Sequence, residues 1–313
     1  MSAATQPRFS VGLPQTLEGD DPRPIAGYAV RAETLGFTGL WTLDAAVGGP
    51  ITHNPVLDGL HVLSHVAAVT HAPRLGIAVI VFPRRNPVQL AKDLATIDRL
   101  CGGRLTVGVA IGSDDERIAA LGFPTDRRVR RLVEGVEVMR ALWAQDAAAH
   151  DGELFRFSGV RMEPKPLQRP GPPVWFGARA EAAVRRAARI GDGWIGAGSS
   201  SAEDFVAQAA TVRRAVEEAG RDPARFAIAK RVYIAVEDDE QVARSRLTAV
   251  LDPMYQMPGL TERCGLWGPP ERCAQALRAL ADAGAQELVL SPLYGHLAQL
   301  EALAEVVRLA RRG

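Results

Sequence analysis

Short apolar runs and longer amphipathic runs alternate along this chain from about residue 9 to its end. The apolar runs have the length of buried β-strands, whereas the amphipathic runs place apolar residues three and four positions apart, as helices do. Eight runs are predicted to be strands: Phe9–Leu13, Gly39–Leu43, Leu75–Phe82, Leu105–Ile111, Val174–Gly177, Trp194–Ala197, Ala227–Val236 and Glu287–Ser291. Nearly all of them are separated by predicted helices.

This alternation predicts an α/β fold with a parallel sheet and crossover helices. Eight units of this size are typical of a (β/α)8 TIM barrel, and a doubly wound open sheet is the alternative. The alternation of strands and helices is interrupted at 150–173, where short extended pieces and many prolines indicate an inserted excursion. We expect residues 1–313 to form a single domain.

Local signals mark several helix ends. Asn86 followed by Pro87 is typical of a helix start, and the pair Gly102 and Gly103 indicates where that helix stops. Ser200 with Glu203 fits a capping box, which predicts that a helix begins directly after the strand that contains Trp194.

Composition narrows the choice of partners. The chain has 37 basic and 36 acidic residues and a net charge of +1, which gives no electrostatic basis for binding nucleic acid or an anionic membrane. The three cysteines form no disulfide framework or zinc pattern, and no apolar stretch is long enough to span a bilayer. We expect a cytoplasmic protein with a small-molecule substrate, without metal, nucleic acid or membrane.

The active site of a barrel lies at the carboxyl ends of its strands. Here those ends are rich in glycine and hydroxyl groups, and they carry no paired carboxylates and no nucleophile elbow. A bound cofactor would therefore supply the chemistry. Two neighbouring loops, 177–180 and 196–201, could present backbone N–H groups to an anion, although the second could also be a serine-capped turn that binds nothing.

Three segments resemble the luciferase-like superfamily of flavin- and deazaflavin-dependent oxidoreductases. The most specific is Arg85–Gly112, RNPVQLAKDLATIDRLCGGRLTVGVAIG, and the others are Ala187–Trp194 and Gly268–Leu290. The resemblance implies a TIM barrel whose mouth holds coenzyme F420, a deazaflavin, or alternatively FMN. It also implies a non-prolyl cis peptide between Ala78 and Val79, against the face of the ring.

The same resemblance, with the two anion loops, assigns candidate cofactor contacts. They are Ala78, Val79, Ala110, Ile111, Gly112, Gly177, Arg179, Ala180, Gly196, Ala197, Gly198 and Ser199. Four residues in predicted loops at the mouth are candidates for the substrate side: Arg84, Tyr255, Trp267 and Tyr294.

The proton donor departs from the pattern of the family. Many deazaflavin-dependent members end the second strand with Asp-His, whereas this chain has Asp44 followed by Ala45, and Ser113 replaces a glutamate of the sugar-phosphate dehydrogenases. Asp44 and His53, in the loop that follows, are the candidate catalytic residues.

We expect an oxidoreductase that transfers hydride to a small organic substrate or monooxygenates it. An FMN-dependent enzyme would need a flavin reductase as partner, and a homodimer is usual in this family. Two other classes stay open. One is a non-catalytic barrel that carries a flavin or ligand, and the other is a cofactor-free aldolase-like barrel, for which Lys230 lies inside a strand rather than at its end.

Overall fold

Parallel strands close into a barrel in the order predicted from the sequence. The computed structural model describes residues 6–16, 23–44, 56–112 and 115–312. The strands in these ranges are β1 Arg8–Gly12, β2 Gly39–Thr42, β3 Arg74–Val81, β4 Leu105–Ala110, β5 Ala148–Asp151, β6 Arg156–Val160, β7 Val174–Gly177, β8 Gly193–Gly196, β9 Ala227–Val236, β10 Leu266–Gly268 and β11 Glu287–Ser291. Strands β1, β2, β3, β4, β7, β8, β9 and β11 pair in that order, and β11 pairs with β1 to complete the ring.

Helices connect the strands and cover the outside of the barrel. They are α1 Arg23–Thr34, α2 Gly59–Ala67, α3 Pro87–Leu100, α4 Asp115–Ala120, α5 Arg128–Ala144, α6 Glu181–Ile190, α7 Ala202–Glu218, α8 Glu240–Tyr255, α9 Leu260–Cys264, α10 Pro270–Asp282 and α11 His296–Arg312. The predicted (β/α)8 architecture is therefore confirmed, and the open sheet is excluded by the closed ring. None of the helices in the described ranges is long and apolar enough to cross a membrane.

The local start and stop signals are confirmed for α3 and shifted by one residue for α7. The Asn86 side chain accepts hydrogen bonds from the amides of Val88 and Gln89, and both glycines after the helix have positive φ. The capping box at α7 is formed by Ser201 and Asp204, not by Ser200 and Glu203. Helix α7 begins at Ala202, so its N-cap is Ser201, one residue later than predicted.

The inserted excursion is an antiparallel hairpin of β5 and β6 that begins at Ala148. It is fastened to α5 by the buried carboxylate of Glu134, whose Oε1 accepts from the amides of Leu154 and Phe155 at 2.8 and 2.7 Å. The side chain of His150 also lies 3.3 Å from this oxygen. These contacts hold the hairpin against the outer helix layer.

The barrel lumen has its own apolar layer, separate from the core between barrel and helices. It is formed by Trp41, Ala78, Trp175, Ile195, Ala229 and Val289, which come from six strands. The rings of Trp41 and Trp175 lie 5.4 Å apart, and Gly76 leaves room for Trp41 because a Cβ there would lie 2.4 Å from the ring. Burial of each indole contributes on the order of 4 kcal/mol.

Candidate active site

One side of the barrel mouth is a close-packed apolar wall at the ends of β3, β4 and β7. The ladder between β3 and β4 shifts register between Ile77 and Ile80, and the Ala78–Val79 peptide within this bulge is cis. A Cβ on Gly177 would lie 3.1 Å from Cγ1 of Val79 and 3.6 Å from Cβ of Ala110. The wall is therefore built from small apolar side chains in close contact.

The rim beside this wall requires glycine. Gly112 has φ of +66°, and a Cβ there would lie 2.4 Å from Cγ1 of Val81. The guanidinium of Arg128 at the start of α5 donates to the Gly112 carbonyl at 3.3 Å. The turn after β4 is thus held close to the end of β3.

The loop of residues 196–201, which joins β8 to α7, is surrounded by cationic side chains. Arg179 donates to the hydroxyl of Ser199, and Arg263 reaches the Ser199 carbonyl at 3.4 Å. This loop ends at the amino terminus of α7, where the helix dipole favours negative charge. Charged donors and a helix amino terminus together are suited to an anion such as a phosphate.

Lys230 supports this loop from behind. Its ammonium points out of the barrel from β9 and donates to the carbonyls of Ala197 and Ser200 at 2.5 and 2.8 Å. Burial lowers the pKa of Lys230 from 10.5 to about 8, mainly because the charged form is removed from water. The lysine fixes the loop rather than facing the barrel mouth.

Tyr233 covers the same loop from the lumen side. A Cβ on Gly198 would lie 2.5 Å from the Tyr233 ring, so the loop packs directly on this aromatic face. The Tyr233 hydroxyl lies 2.7 Å from the hydroxyl of Tyr255 at the end of α8. Burial and the neighbouring phenol raise the pKa of Tyr233 well above 10, so the hydroxyl stays protonated.

Comparison with known sequences is decisive for the family. Residues 2–259 match the profile of the luciferase-like monooxygenase family. This chain belongs to that family.

Two relatives show how the match is distributed. An uncharacterized protein of Mycobacterium tuberculosis is 41% identical over 140 residues, which cover 44% of this chain and 49% of that protein. The FMNH2-dependent dimethylsulfone monooxygenase of Pseudomonas putida is 31% identical over 229 residues, which cover 72% of this chain and 59% of that protein. The chain thus spans about half the length of these curated relatives.

A solved structure confirms the fold. The coenzyme F420-dependent tetrahydromethanopterin reductase from Methanopyrus kandleri superposes with a TM-score of 0.81. The superposition covers 97% of this chain and 99% of that one at 19% sequence identity.

The predicted cofactor contacts lie in three places at the mouth of the barrel: the apolar wall, the cationic loop and the rim beside the wall. The apolar wall is formed by Ala78, Val79, Ala110 and Gly177. The loop of residues 196–201, together with Arg179 beside it, is called the cationic loop and contains the predicted contacts 196–199. Ile111 and Gly112 lie at the rim. Ala180 is the exposed residue before α6. The expected cis peptide is confirmed, whereas contact of these residues with a cofactor stays a prediction.

The side chain of the candidate acid Asp44, two residues after β2, is fully buried, and both of its carboxylate oxygens accept hydrogen bonds. Oδ2 accepts from the amide of Val81 at 2.9 Å, and Oδ1 accepts from Arg85 at 2.5 Å. Arg85 also donates to Asp58 at 3.0 Å. In this arrangement Asp44 fixes the turn after β3, and its catalytic role stays a prediction. His53, the other candidate, lies outside the described residues.

The four substrate-side candidates divide into a group of three and one separate residue. Tyr255, Trp267 and Tyr294 pack around one apolar cluster above the end of β9. Arg84 is buried in the short turn after β3. The prediction that all four lie in loops is wrong for two of them, because Tyr255 is the last residue of α8 and Trp267 lies in β10. Contact of any of the four with a substrate stays a prediction.

Sequence analysis missed three side chains of the mouth: Arg231, Tyr233 and Ser291. All three are buried and lie on lumen-facing positions of β9 and β11. A signal was present for Arg231, since two consecutive basic residues interrupt the apolar strand AIAKRVYIAV. Ser291 gave no signal, because a serine at a strand end is common. In the described residues, no group of His, Cys, Asp and Glu side chains is placed to hold a metal ion.

Proposed function

We propose that this luciferase-like protein is an oxidoreductase that binds a reduced deazaflavin or flavin in the barrel mouth and acts on a small organic substrate. F420 is the first candidate cofactor, and FMN is the alternative. The observation that carries the proposal is the presence of two surfaces at one mouth. An apolar wall of small side chains suits a planar ring, and a cationic loop suits the phosphate that both cofactors carry.

The residues present fit such a cofactor. Gly177 lacks a side chain where any Cβ would touch Val79, and Gly198 lacks one where a Cβ would strike Tyr233. Both glycines therefore permit close packing, of the wall on Val79 and of the loop on the Tyr233 ring. Arg179 and Arg263 bring positive charge to Ser199, which matches the charge of a phosphate.

When bound, the cofactor would supply hydride transfer, or oxygen activation in the case of FMN. The chain would bind and orient the reactants. Val79, Ala110 and Gly177 would exclude water from one ring face, and Arg179 with Ser199 would hold the phosphate. The position of the loop would be maintained by Lys230, which bonds two of its carbonyls.

FMN-dependent monooxygenation is the second candidate activity. It is favoured by the 31% identity to the FMNH2-dependent dimethylsulfone monooxygenase over 72% of this chain. This reading adds a flavin reductase as partner, since reduced FMN must be delivered to the protein. Hydride transfer from reduced F420 is instead favoured by the resemblance of the segment Arg85–Gly112 to deazaflavin-dependent members.

The test is a fluorescence titration of the purified full chain with F420 and FMN, each oxidised and reduced under anaerobic conditions. Selective binding of F420 supports hydride transfer, and selective binding of reduced FMN supports monooxygenation. If neither cofactor binds, the proposal is wrong and the aldolase-like barrel becomes the better reading. If a cofactor binds but no turnover of carbonyl, alkene or imine substrates follows, the carrier reading is preferred.

A further inference from the structure

Glu287 and Arg231 are buried charged residues near opposite ends of the barrel lumen, and in the described ranges only Glu287 pairs with a group of opposite charge. Glu287 begins β11 at the end opposite the mouth. Its carboxylate accepts from Ser10 at 2.8 Å and from the Trp41 indole at 2.9 Å, and it pairs with Arg8 at 3.1 Å. This buried carboxylate therefore has the partners that buried charges require.

Arg231, nearer the mouth, has no such partner. It is the next lumen-facing residue after Ala229 on β9 and is only 5% exposed. Its side chain crosses the lumen to β2, where Nη2 lies 3.4 Å from the Thr42 carbonyl. Within the described ranges no carboxylate lies at ion-pair distance from this guanidinium. Burial lowers the pKa of Arg231, but an arginine side chain stays charged in proteins.

Ser291, on the neighbouring strand β11, is a second polar residue that faces the lumen near the mouth. Its hydroxyl is buried, with the residue 4% exposed, and it has no hydrogen-bond partner among the described residues. Val289 is the register partner of Arg231, so Ser291 faces the lumen one layer nearer the mouth. On the neighbouring strand β1, a Cβ on Gly12 would lie 3.0 Å from the Ser291 hydroxyl, so the glycine lets this hydroxyl lie close to β1.

Burying an arginine without a counter-ion costs folding free energy, and an orphaned buried hydroxyl adds to that cost. Two such groups at one end of the lumen, facing the apolar wall of Val79 and Gly177, indicate a ligand that satisfies both. A carboxylate suits this pair, since its two oxygens match the fork of a guanidinium and can accept from a hydroxyl as well.

We propose that Arg231 and Ser291 form a specificity site for the carboxylate of a small organic acid, which is the substrate class of this enzyme. The assignment of the ligand as substrate rests on the proposed function. The acid would enter with its carboxylate towards the floor of the mouth, between β9 and β1. Its remaining carbon atoms would then lie beside the apolar wall, where the cofactor ring would pack.

The test is isothermal titration of the purified full chain with propionate and with its neutral amide, propionamide. We expect propionate to bind at least about tenfold more tightly than propionamide, and Arg231→Gln to weaken propionate by at least about tenfold. Ser291→Ala is expected to weaken it about fivefold. Arg179→Gln controls for the cationic loop and is expected to leave propionate binding unchanged.

Three outcomes would overturn the proposal. The first is equal binding of propionate and propionamide. The second is loss of propionate binding in Arg179→Gln but not in Arg231→Gln, which would place the anion at the cationic loop. The third is an Arg231→Gln variant that binds reduced cofactor more weakly but propionate normally, because the cation would then face the ring.

Stability provides a readout that does not depend on ligand. Removing an unbalanced buried charge is expected to raise the Tm of Arg231→Met by at least about 2 °C, whereas a structural role for Arg231 would lower the Tm. Cofactor titration of the same variants separates the two proposals. Propionate binding through Arg231 without F420 or FMN binding would refute only the proposed function, and cofactor binding without propionate binding would refute only the carboxylate site.

Discussion

The hydroxyls of Tyr233 and Tyr255 lie 2.7 Å apart, and this hydrogen bond ties the inner wall of the barrel to the end of α8. Tyr233 is fully buried, whereas Tyr255 is partly accessible at the mouth. The Tyr233 ring also packs on Gly198 of the cationic loop. One phenol pair thus links three parts of the site.

We expect Tyr255→Phe to lower the free energy of unfolding by about 1–3 kcal/mol, since it leaves the Tyr233 hydroxyl buried without a partner. The double variant Tyr233→Phe with Tyr255→Phe is expected to be closer to the wild type than Tyr255→Phe alone. Urea denaturation of the wild type, the two single variants Tyr233→Phe and Tyr255→Phe, and the double variant measures this double-mutant cycle. Strictly additive losses would show that the two hydroxyls do not depend on each other.

Lys230 gives stability a pH dependence of defined sign. The folded chain loses this proton near pH 8 and the unfolded chain near 10.5, so the unfolded state binds more protons between these values. The contribution of Lys230 to the free energy of unfolding therefore rises with pH across this window, by about 3 kcal/mol at most, and is lowest below pH 8.

Comparison with Lys230→Met isolates this effect, because other groups that titrate in the same range are shared by both proteins. We expect the wild type to gain stability relative to the variant as the pH is raised from 7.5 to 10, measured by urea denaturation at each pH. A constant difference across this range would show that the buried amine has an ordinary pKa.

Arg179 is expected to contribute to cofactor binding through phosphate. Arg179→Gln should weaken binding of FMN or F420 by about 10- to 100-fold, the range for a charge-assisted hydrogen bond. Binding of riboflavin, which has no phosphate, should be unchanged. Arg308→Gln removes a guanidinium from an exposed ion pair on α11 and is the matched control. Equal losses for FMN and riboflavin would argue that Arg179 contacts the ring instead.

Two glycine substitutions should have opposite effects. Gly198→Ala places a methyl group 2.5 Å from the Tyr233 ring, so the loop must shift, which should weaken cofactor binding and lower stability by about 1–3 kcal/mol. Gly27→Ala lies inside α1, where no described atom outside the helix's own backbone is within 4 Å of the new Cβ, and should raise stability by about 0.5–1 kcal/mol. Thermal denaturation and FMN titration of both variants check the pair. Unchanged binding in Gly198→Ala would show that the loop does not hold the phosphate.

The sequence predicted those features that depend on neighbouring residues. The eight barrel strands, the Asn86 cap and the glycine stop after α3 all follow from local periodicity and turn chemistry. Helix α8 was missed because its apolar stripe is weak and Pro253 lies in its last turn. Short elements such as α9 and β10 carry too few residues for a periodic signal.

The roles of individual side chains were harder to predict, because they depend on contacts between distant segments. The sequence position of Asp44 makes it a candidate acid. In the structure its carboxylate oxygens accept hydrogen bonds from Val81 and Arg85, about 40 residues further along the chain. From the sequence, Arg231 is one of two adjacent basic residues in a predicted strand, and the direction of each side chain is not defined. Only the closed barrel shows that Lys230 points outwards and Arg231 into the lumen.

The apolar cluster above β9 has a consequence for how this protein could change over time. Tyr233, Ala235, Leu247, Leu251 and Leu260 pack there with Tyr255 and Trp267, apart from the main core of the barrel. Leu247 and Leu251 of this cluster lie on α8, so substitutions there can reshape one side of the mouth without changing the strands that close the ring. Changes of ligand preference can therefore arise on α8, outside the strands that form the barrel.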